Sequence, residues 1–184
     1  MNTLSIKKQR TFIPFTQTDG IFILPRILTA EQIAEIYKTS KIKASHHGDD
    51  EGHSRSLPNT PFKADKPYNL PWVAELISQH IPKIPSAVKV DANIQIYTLP
   101  DGGGVVPLHV DQDFEVDGLN ARYSILIYLN DAFTGGETVF NCNMYAPKIP
   151  VGAGIVFRHN ILHEGLRVTS GEKHVLKTDL LLSL

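Results

Sequence analysis

Arg122-Tyr-Ser-Ile-Leu-Ile-Tyr128-Leu-Asn-Asp-Ala-Phe-Thr-Gly-Gly136 decides the fold. A β-branched and aromatic run of strand length ends in a polar pair and closes on Gly135-Gly136, a turn signal. The same rhythm continues in both directions. Segments near 88–98, 105–112, 122–130, 136–141, 153–158 and 173–183 are rich in Val, Ile, Leu, Tyr and Thr. Between them stand Pro100 to Gly104, Asp117-Gly118, Gly135-Gly136, Pro150 to Gly152 and Ser170-Gly171. Many short strands separated by turns predict a β-sandwich or barrel.

Upstream the period changes. Phe22-Ile23-Leu24, ended by Pro25, reads as a short strand. Thr29 and Gln32 have capping-box spacing, and Ile33, Ile36 and Tyr37 then share a face, so a helix is expected over 30–40. Lys43 to Tyr68 has no period and reads as a long loop of the kind often used as a lid. Pro71 suits a first helical position, and Trp72, Val73, Leu76, Ile77 and Ile81 predict a second helix over 72–81. The expectation is a mainly β protein of one domain spanning 1–184. A helical buttress (about 1–85) would support a β-core (about 86–184), and the length suits one core.

With 42% hydrophobic and 20% charged residues, the chain is neither fibrous nor broadly disordered. A net charge of −1 gives no footprint for nucleic acid or an anionic membrane. The one cysteine, Cys142, allows no intrachain disulfide and fits a reducing compartment. The N-terminus lacks a signal-peptide run, and no segment has bilayer-spanning length. These features predict a soluble, cytoplasmic protein with neither nucleic acid nor membrane as a partner.

His109-Val-Asp111 lies in or just after a strand. Side chains two apart in a strand point to one face, so imidazole and carboxylate can meet one metal ion. A third ligand must come from elsewhere. His163 is the best candidate, and His159 is its main rival. Two His and one carboxylate on one face of an octahedral ion leave three positions open. That is the arrangement of non-haem Fe(II) oxygenases, in which a co-substrate and dioxygen must both reach iron.

Five phrases then occur in order. They are Tyr97-Thr-Leu-Pro-Asp-Gly-Gly-Gly; Pro107-Leu-His109-Val-Asp111; Tyr123-Ser-Ile-Leu-Ile-Tyr128-Leu-Asn130; Gly135-Gly136-Glu-Thr138-Val-Phe140; and His163-Glu-Gly165-Leu-Arg-Val168-Thr-Ser-Gly171-Glu-Lys173, followed by Leu176-Lys-Thr-Asp179. From about Ile94 to Leu182 the chain resembles the prolyl 4-hydroxylase-like branch of the Fe(II)/2-oxoglutarate-dependent oxygenases. The resemblance implies a double-stranded β-helix, a jelly roll of two sheets. It implies iron on His109, Asp111 and His163, with 2-oxoglutarate and O2 as co-substrates and ascorbate as a reductant. It places Lys173, ten residues after His163, on the far carboxylate of 2-oxoglutarate, with Tyr97 and Tyr128 as further carboxylate contacts. A partly buried dicarboxylate requires a fixed cation, and Lys supplies a point charge where Arg would bind in bidentate fashion. The implied reaction is hydroxylation of a C–H bond with release of succinate and CO2.

The substrate the family implies is a peptidyl proline; a small amino-acid-like metabolite fits a compact chain nearly as well. Arg55, Asn59 and Arg122 are candidate substrate contacts. Lys173, Val175, Lys177 and Asp179 alternate onto one strand face, where Lys177 and Asp179 read as a structural ion pair. Thr138 and Phe140 read as serving turn and packing needs. Two other classes use the same ligands: a jelly-roll zinc hydrolase or isomerase, and a non-catalytic metal-binding module. The zinc enzyme has no use for a buried cation at Lys173, and the complete ligand set argues against a non-catalytic module, since a decayed site should have lost at least one ligand.

Overall fold

The computed structural model describes residues 20–41, 63–64, 66–100, 105–141, 144–146 and 148–183. Along them the chain forms β1 (Ile21–Leu24), α1 (Ala30–Ser40), β2 (Lys63–Ala64), β3 (Tyr68–Asn69), α2 (Pro71–Ser78), β4 (Ala87–Val90), β5 (Asn93–Leu99) and β6 (Val106–His109). There follow β7 (Phe114–Val116), β8 (Leu119–Tyr128), β9 (Phe133–Gly135), β10 (Thr138–Phe140), β11 (Met144–Tyr145), β12 (Gly154–Arg158), β13 (His163–Gly165), β14 (Val168–Gly171) and β15 (Lys173–Leu182).

The quoted run around Tyr128 becomes β8, and it pairs antiparallel with β15 from Val175↔Tyr128 to Leu182↔Asn120. These two strands are the centre of a large antiparallel sheet of order β1-β12-β8-β15-β5-β2, with β3, β4 and β7 paired at its margins. A smaller sheet has the order β11-β10-β13-β6, and β14 pairs with β9. Among the described residues the fold is mainly β, with the two sheets of a double-stranded β-helix and two supporting helices.

Alternation along the central strands divides two cores. Tyr123, Ile125 and Ile127 of β8, with Leu176 and Leu180 of β15, face outward and pack against Ile33 and Ile36 of α1 and Val73 and Ile77 of α2. Tyr128 and Val175 face inward, with Phe157 of β12 and Phe140 of the small sheet. Phe140 and Phe157 meet edge to face with centroids 5.0 Å apart, which joins the two sheets across the barrel.

The helix over 30–40 forms as its caps predict. The Thr29 hydroxyl accepts from the Gln32 N–H at 3.3 Å, and the Gln32 side chain accepts from the Thr29 N–H at 2.8 Å, a reciprocal cap worth about 1 kcal/mol. The second helix is shorter than expected. It begins at Pro71 but ends at Ser78, so Ile81 lies outside it. Ile81 precedes Pro82, and a residue before proline is pushed out of helical backbone.

The segment near 88–98 is two strands instead of one. Asp91 breaks it by accepting from both the main-chain and side-chain N–H of Asn93, each at 3.0 Å. The first half of the chain also contributes to the large sheet, since β1 pairs with β12 and both β2 and β3 pair with β5. Most of the loop expected from Lys43 to Tyr68 lies outside the described residues.

Candidate metal and co-substrate site

β6 and β13 are neighbours in the small sheet, and His109 is the direct partner of His163 in their register. Side chains of a directly opposed pair lie on the same face. The two imidazole centroids are therefore only 4.2 Å apart. Asp111 stands just beyond β6, where its main-chain N–H donates to the His159 carbonyl at 2.9 Å. That bond turns its carboxylate toward the histidines. His109 Nε2 lies 3.4 Å from Asp111 Oδ1, and His163 Nε2 lies 3.9 Å from Asp111 Oδ2. One ligand atom from each of the three lies within 4.8 Å of the others. His163 is buried and the other two are half-buried.

Both rings are fixed from behind. His109 Nδ1 lies 2.7 Å from the Pro107 carbonyl, and His163 Nδ1 lies 2.9 Å from the Ile161 carbonyl. A carbonyl can only accept, so each Nδ1 carries the proton and donates. Each Nε2 is thereby left with a lone pair aimed at Asp111. This is the donor set and outer-shell support that a divalent metal requires. Asp111 is supported too, since the Ser124 hydroxyl donates to Oδ2 and Lys177 Nζ lies 3.9 Å from the same oxygen.

The electrostatics suit a cation. Burial alone would raise the Asp111 carboxyl. His109, the Lys177 charge, the Ser124 hydroxyl and His163 outweigh it and hold the group well below the usual carboxylate range. The Asp111 carboxylate beside His109 pushes its imidazole up. Burial pulls the His163 imidazole down.

Lys173 lies further along the inner face, at the start of β15. It is 3% exposed, which is rare for lysine. Its Nζ donates to the Gly136 carbonyl at 2.6 Å and lies 4.8 Å from the centre of the Tyr128 ring. Among the described residues no carboxylate comes within salt-bridge distance of it. Desolvation pulls its pKa down to about 8.

Tyr128, Phe133, Gly136 and Thr138 line an adjacent cavity of about 260 Å³. There the Tyr128 and Thr138 hydroxyls meet at 2.6 Å, and burial pushes the Tyr128 hydroxyl up to about 12. Tyr97 faces inward opposite Val175, donates to Gln95 Oε1 at 3.5 Å, and is raised by burial.

Other expected residues are placed differently. His159 is 1% exposed and stands outside the converging group. Its Nδ1 lies 3.2 Å from Asp113 Oδ1 and its Nε2 lies 3.1 Å from Asp179 Oδ1. Lys177 does pair with Asp179, at 3.5 Å, but it reaches Asp111 as well, so the pair belongs to the site and is more than a structural bridge. Thr138 is more than a turn and packing residue, because its hydroxyl faces the cavity beside Tyr128.

Arg122 lies on β8 with Nε 3.7 Å from Asp113 Oδ2, in a cleft of about 290 Å³ shared with Tyr123, Arg158 and Asn160. Arg55 and Asn59 lie outside the described residues. Sequence reasoning missed Ser124 and Asn130, both inside a quoted phrase, because a phrase marks a place in a fold without saying what each side chain touches.

No protein-family model matches the chain, and no curated protein does. Solved structures do. One is a viral collagen prolyl hydroxylase from Paramecium bursaria Chlorella virus-1, in its 2-oxoglutarate complex. It is 16% identical with a TM-score of 0.60, over 91% of this chain and 98% of that one. A prolyl-4-hydroxylase from Pseudomonas putida is 18% identical, with a TM-score of 0.58 over 91% and 95% of the two chains. A prolyl hydroxylase from Trichoplax adhaerens, solved with a peptide fragment of the hypoxia inducible factor oxygen degradation domain, is 15% identical, with a TM-score of 0.58 over 89% and 84%. Among the described residues no helix is long and apolar enough to cross a membrane. The chain has the fold of the 2-oxoglutarate–Fe(II) oxygenases of the prolyl hydroxylase type.

Proposed function

We propose that the protein is a non-haem Fe(II), 2-oxoglutarate-dependent oxygenase. It hydroxylates an unactivated C–H bond of a peptidyl proline or a small amino-acid-like metabolite and releases succinate and CO2. One observation carries this reading: a converging His-Asp-His donor set shares a barrel interior with a buried lysine that has no carboxylate partner among the described residues. A zinc hydrolase would use the first feature and have no need of the second.

His109, Asp111 and His163 would hold the metal through Nε2, a carboxylate oxygen and Nε2. With 2-oxoglutarate and dioxygen, bound iron supplies an oxidant strong enough to take a hydrogen atom from a C–H bond and return a hydroxyl. The chain's own residues bind, orient and exclude. Lys173 neutralises the far carboxylate of the co-substrate, with the Tyr128 and Thr138 hydroxyls beside it. Tyr97, facing inward from β5, would supply a further hydroxyl to a co-substrate carboxylate. The Pro107 and Ile161 carbonyls keep both imidazoles in the tautomer that ligates. Phe140 and Phe157 keep water from the inner side of His163. Arg122, beside Asp113 in its cleft, is the substrate contact this reading names among the described residues.

The test is anaerobic addition of Fe(II) and then 2-oxoglutarate to the metal-free protein. A visible charge-transfer band is expected, absent from His163→Ala and retained by His159→Ala. Bound iron with no band in the unmodified protein overturns the co-substrate assignment.

A further inference from the structure

β8 ends at Tyr128, and its ladder with β15 ends at the pair Val175↔Tyr128. Lys173 and His174 therefore run past the end of β8, while β5 still pairs them on the other side. The Asn130 side chain takes the place of the missing strand. Its Oδ1 accepts from the His174 N–H at 2.9 Å, and its Nδ2 donates to the Glu172 carbonyl at 2.7 Å. The Leu129 N–H donates to the His174 carbonyl at 3.0 Å. The main chain is thus clamped on either side of Lys173.

The clamp continues through the sheet to α1. Neighbours in a strand face opposite ways, so His174 points toward the helices as Lys173 points into the barrel. The His174 ring is 1% exposed. Its Nε2 lies 2.6 Å from Glu172 Oε1, and its Nδ1 lies 2.9 Å from the Tyr37 hydroxyl. A carboxylate only accepts, so Nε2 carries the proton and Nδ1 accepts from Tyr37. Tyr37 also meets the imidazole edge to face, with centroids 5.4 Å apart. A hydroxyl on α1 therefore holds the side chain next to the cation that the proposed function uses.

We propose that Tyr37, acting through His174 and Glu172, is a positioning residue for Lys173, so that helix α1 sets the affinity for the dicarboxylate co-substrate. This rests on the oxygenase reading above. Buried packed elements transmit small displacements, and the Lys173 side chain is buried along its length with its Nζ on the Gly136 carbonyl, so where its strand lies sets where its charge sits.

The same helix offers a control. The Tyr68 hydroxyl donates to the Ser40 carbonyl at the end of α1, at 2.9 Å, and fastens the helix to β3 instead of to the His174 ring. The experiment measures the dissociation constants of Fe(II) and of 2-oxoglutarate, anaerobically, in the unmodified protein and in Tyr37→Phe, Glu172→Ala and Tyr68→Phe.

Tyr37→Phe and Glu172→Ala are expected to weaken 2-oxoglutarate by about 5-fold or more, the lower end of ordinary coupling between sites, with Fe(II) affinity unchanged. Tyr68→Phe is expected to leave both constants in place. The inference is overturned if Tyr37→Phe binds 2-oxoglutarate normally, or if all three variants lose metal and co-substrate together, which marks a general loosening of the fold. If the unmodified protein binds Fe(II) but no 2-oxoglutarate, the oxygenase reading itself fails and takes this inference with it.

Discussion

Replacing Lys173 by methionine separates the cost of the buried charge from its use. Desolvation pulls the amine from its ordinary 10.5 to about 8. At about 1.4 kcal/mol per tenfold change in proton affinity, keeping that amine charged costs the folded protein about 3 kcal/mol. Methionine has similar length and no charge, but it gives up the hydrogen bond to Gly136, worth about 1 kcal/mol. In the absence of metal and co-substrate, Lys173→Met should therefore be more stable at pH 7 by about 2 kcal/mol.

The sign can be followed with pH. Below about 8 the amine is charged in both folded and unfolded protein, and the penalty is full. Between about 8 and 10.5 the unfolded chain holds the extra proton, so wild-type stability rises with pH and the advantage of the variant shrinks. Urea unfolding of both proteins across that window measures the difference. The same substitution should weaken 2-oxoglutarate about 100-fold or more, since an unpaired buried carboxylate costs about 3–5 kcal/mol. The reasoning is refuted if the variant is the less stable protein at pH 7, or if its affinity for 2-oxoglutarate stays within about tenfold.

His159→Ala should lose roughly 2 kcal/mol of stability, because it removes a hydrogen bond to the Asp179 carboxylate and leaves only Lys177 beside it, yet still bind one metal ion per chain by elemental analysis. A loss of metal stoichiometry would put His159 in the ligand set. Metal affinity should fall as pH drops through neutrality, with His109 taking up a proton first because Asp111 raises it and burial lowers His163; a titration of metal release against pH reads this directly. Gly135→Ala should cost roughly 2 kcal/mol or more in a urea titration, because Gly135 holds φ +71° and an added Cβ would run into the Arg167 carbonyl.

The convergence of His109, Asp111 and His163 was the most legible part of the chain, because two of the three stand in one short motif. His109 and Asp111 are two residues apart, and His163 stands in a phrase of its own. The helix over 30–40 was legible for a similar reason, since its cap and its apolar face are both short-range signals. The rest depends on pairing between residues far apart. β9, β11 and β13 are two or three residues long, too short for alternation to show. β15 is buried on both faces for most of its length, so its inward residues do not stand out by polarity except at Lys173, Lys177 and Asp179. That β1 adds to the edge of β12 follows from the closing of the sheet and from nothing in Ile21–Leu24 alone. Asn130 illustrates the same limit. Its role exists only because β8 stops two residues before it while β15 runs on.

The register that pairs His109 with His163 has a mechanical consequence. β6 is the outer strand of the small sheet, joined to β13 through His109↔His163 and Gly165↔Val106 with an irregularity between them. An ion bridging the two rings would act as a rivet through a short seam, tying together parts of the chain that are distant in sequence. It would also penalise any slip of β6 by one residue, which would turn His109 to the other side. Metal occupancy and the integrity of that seam are thus one equilibrium seen from two ends. Amide exchange along Val106–His109 should slow when the ion is added and quicken when a chelator removes it.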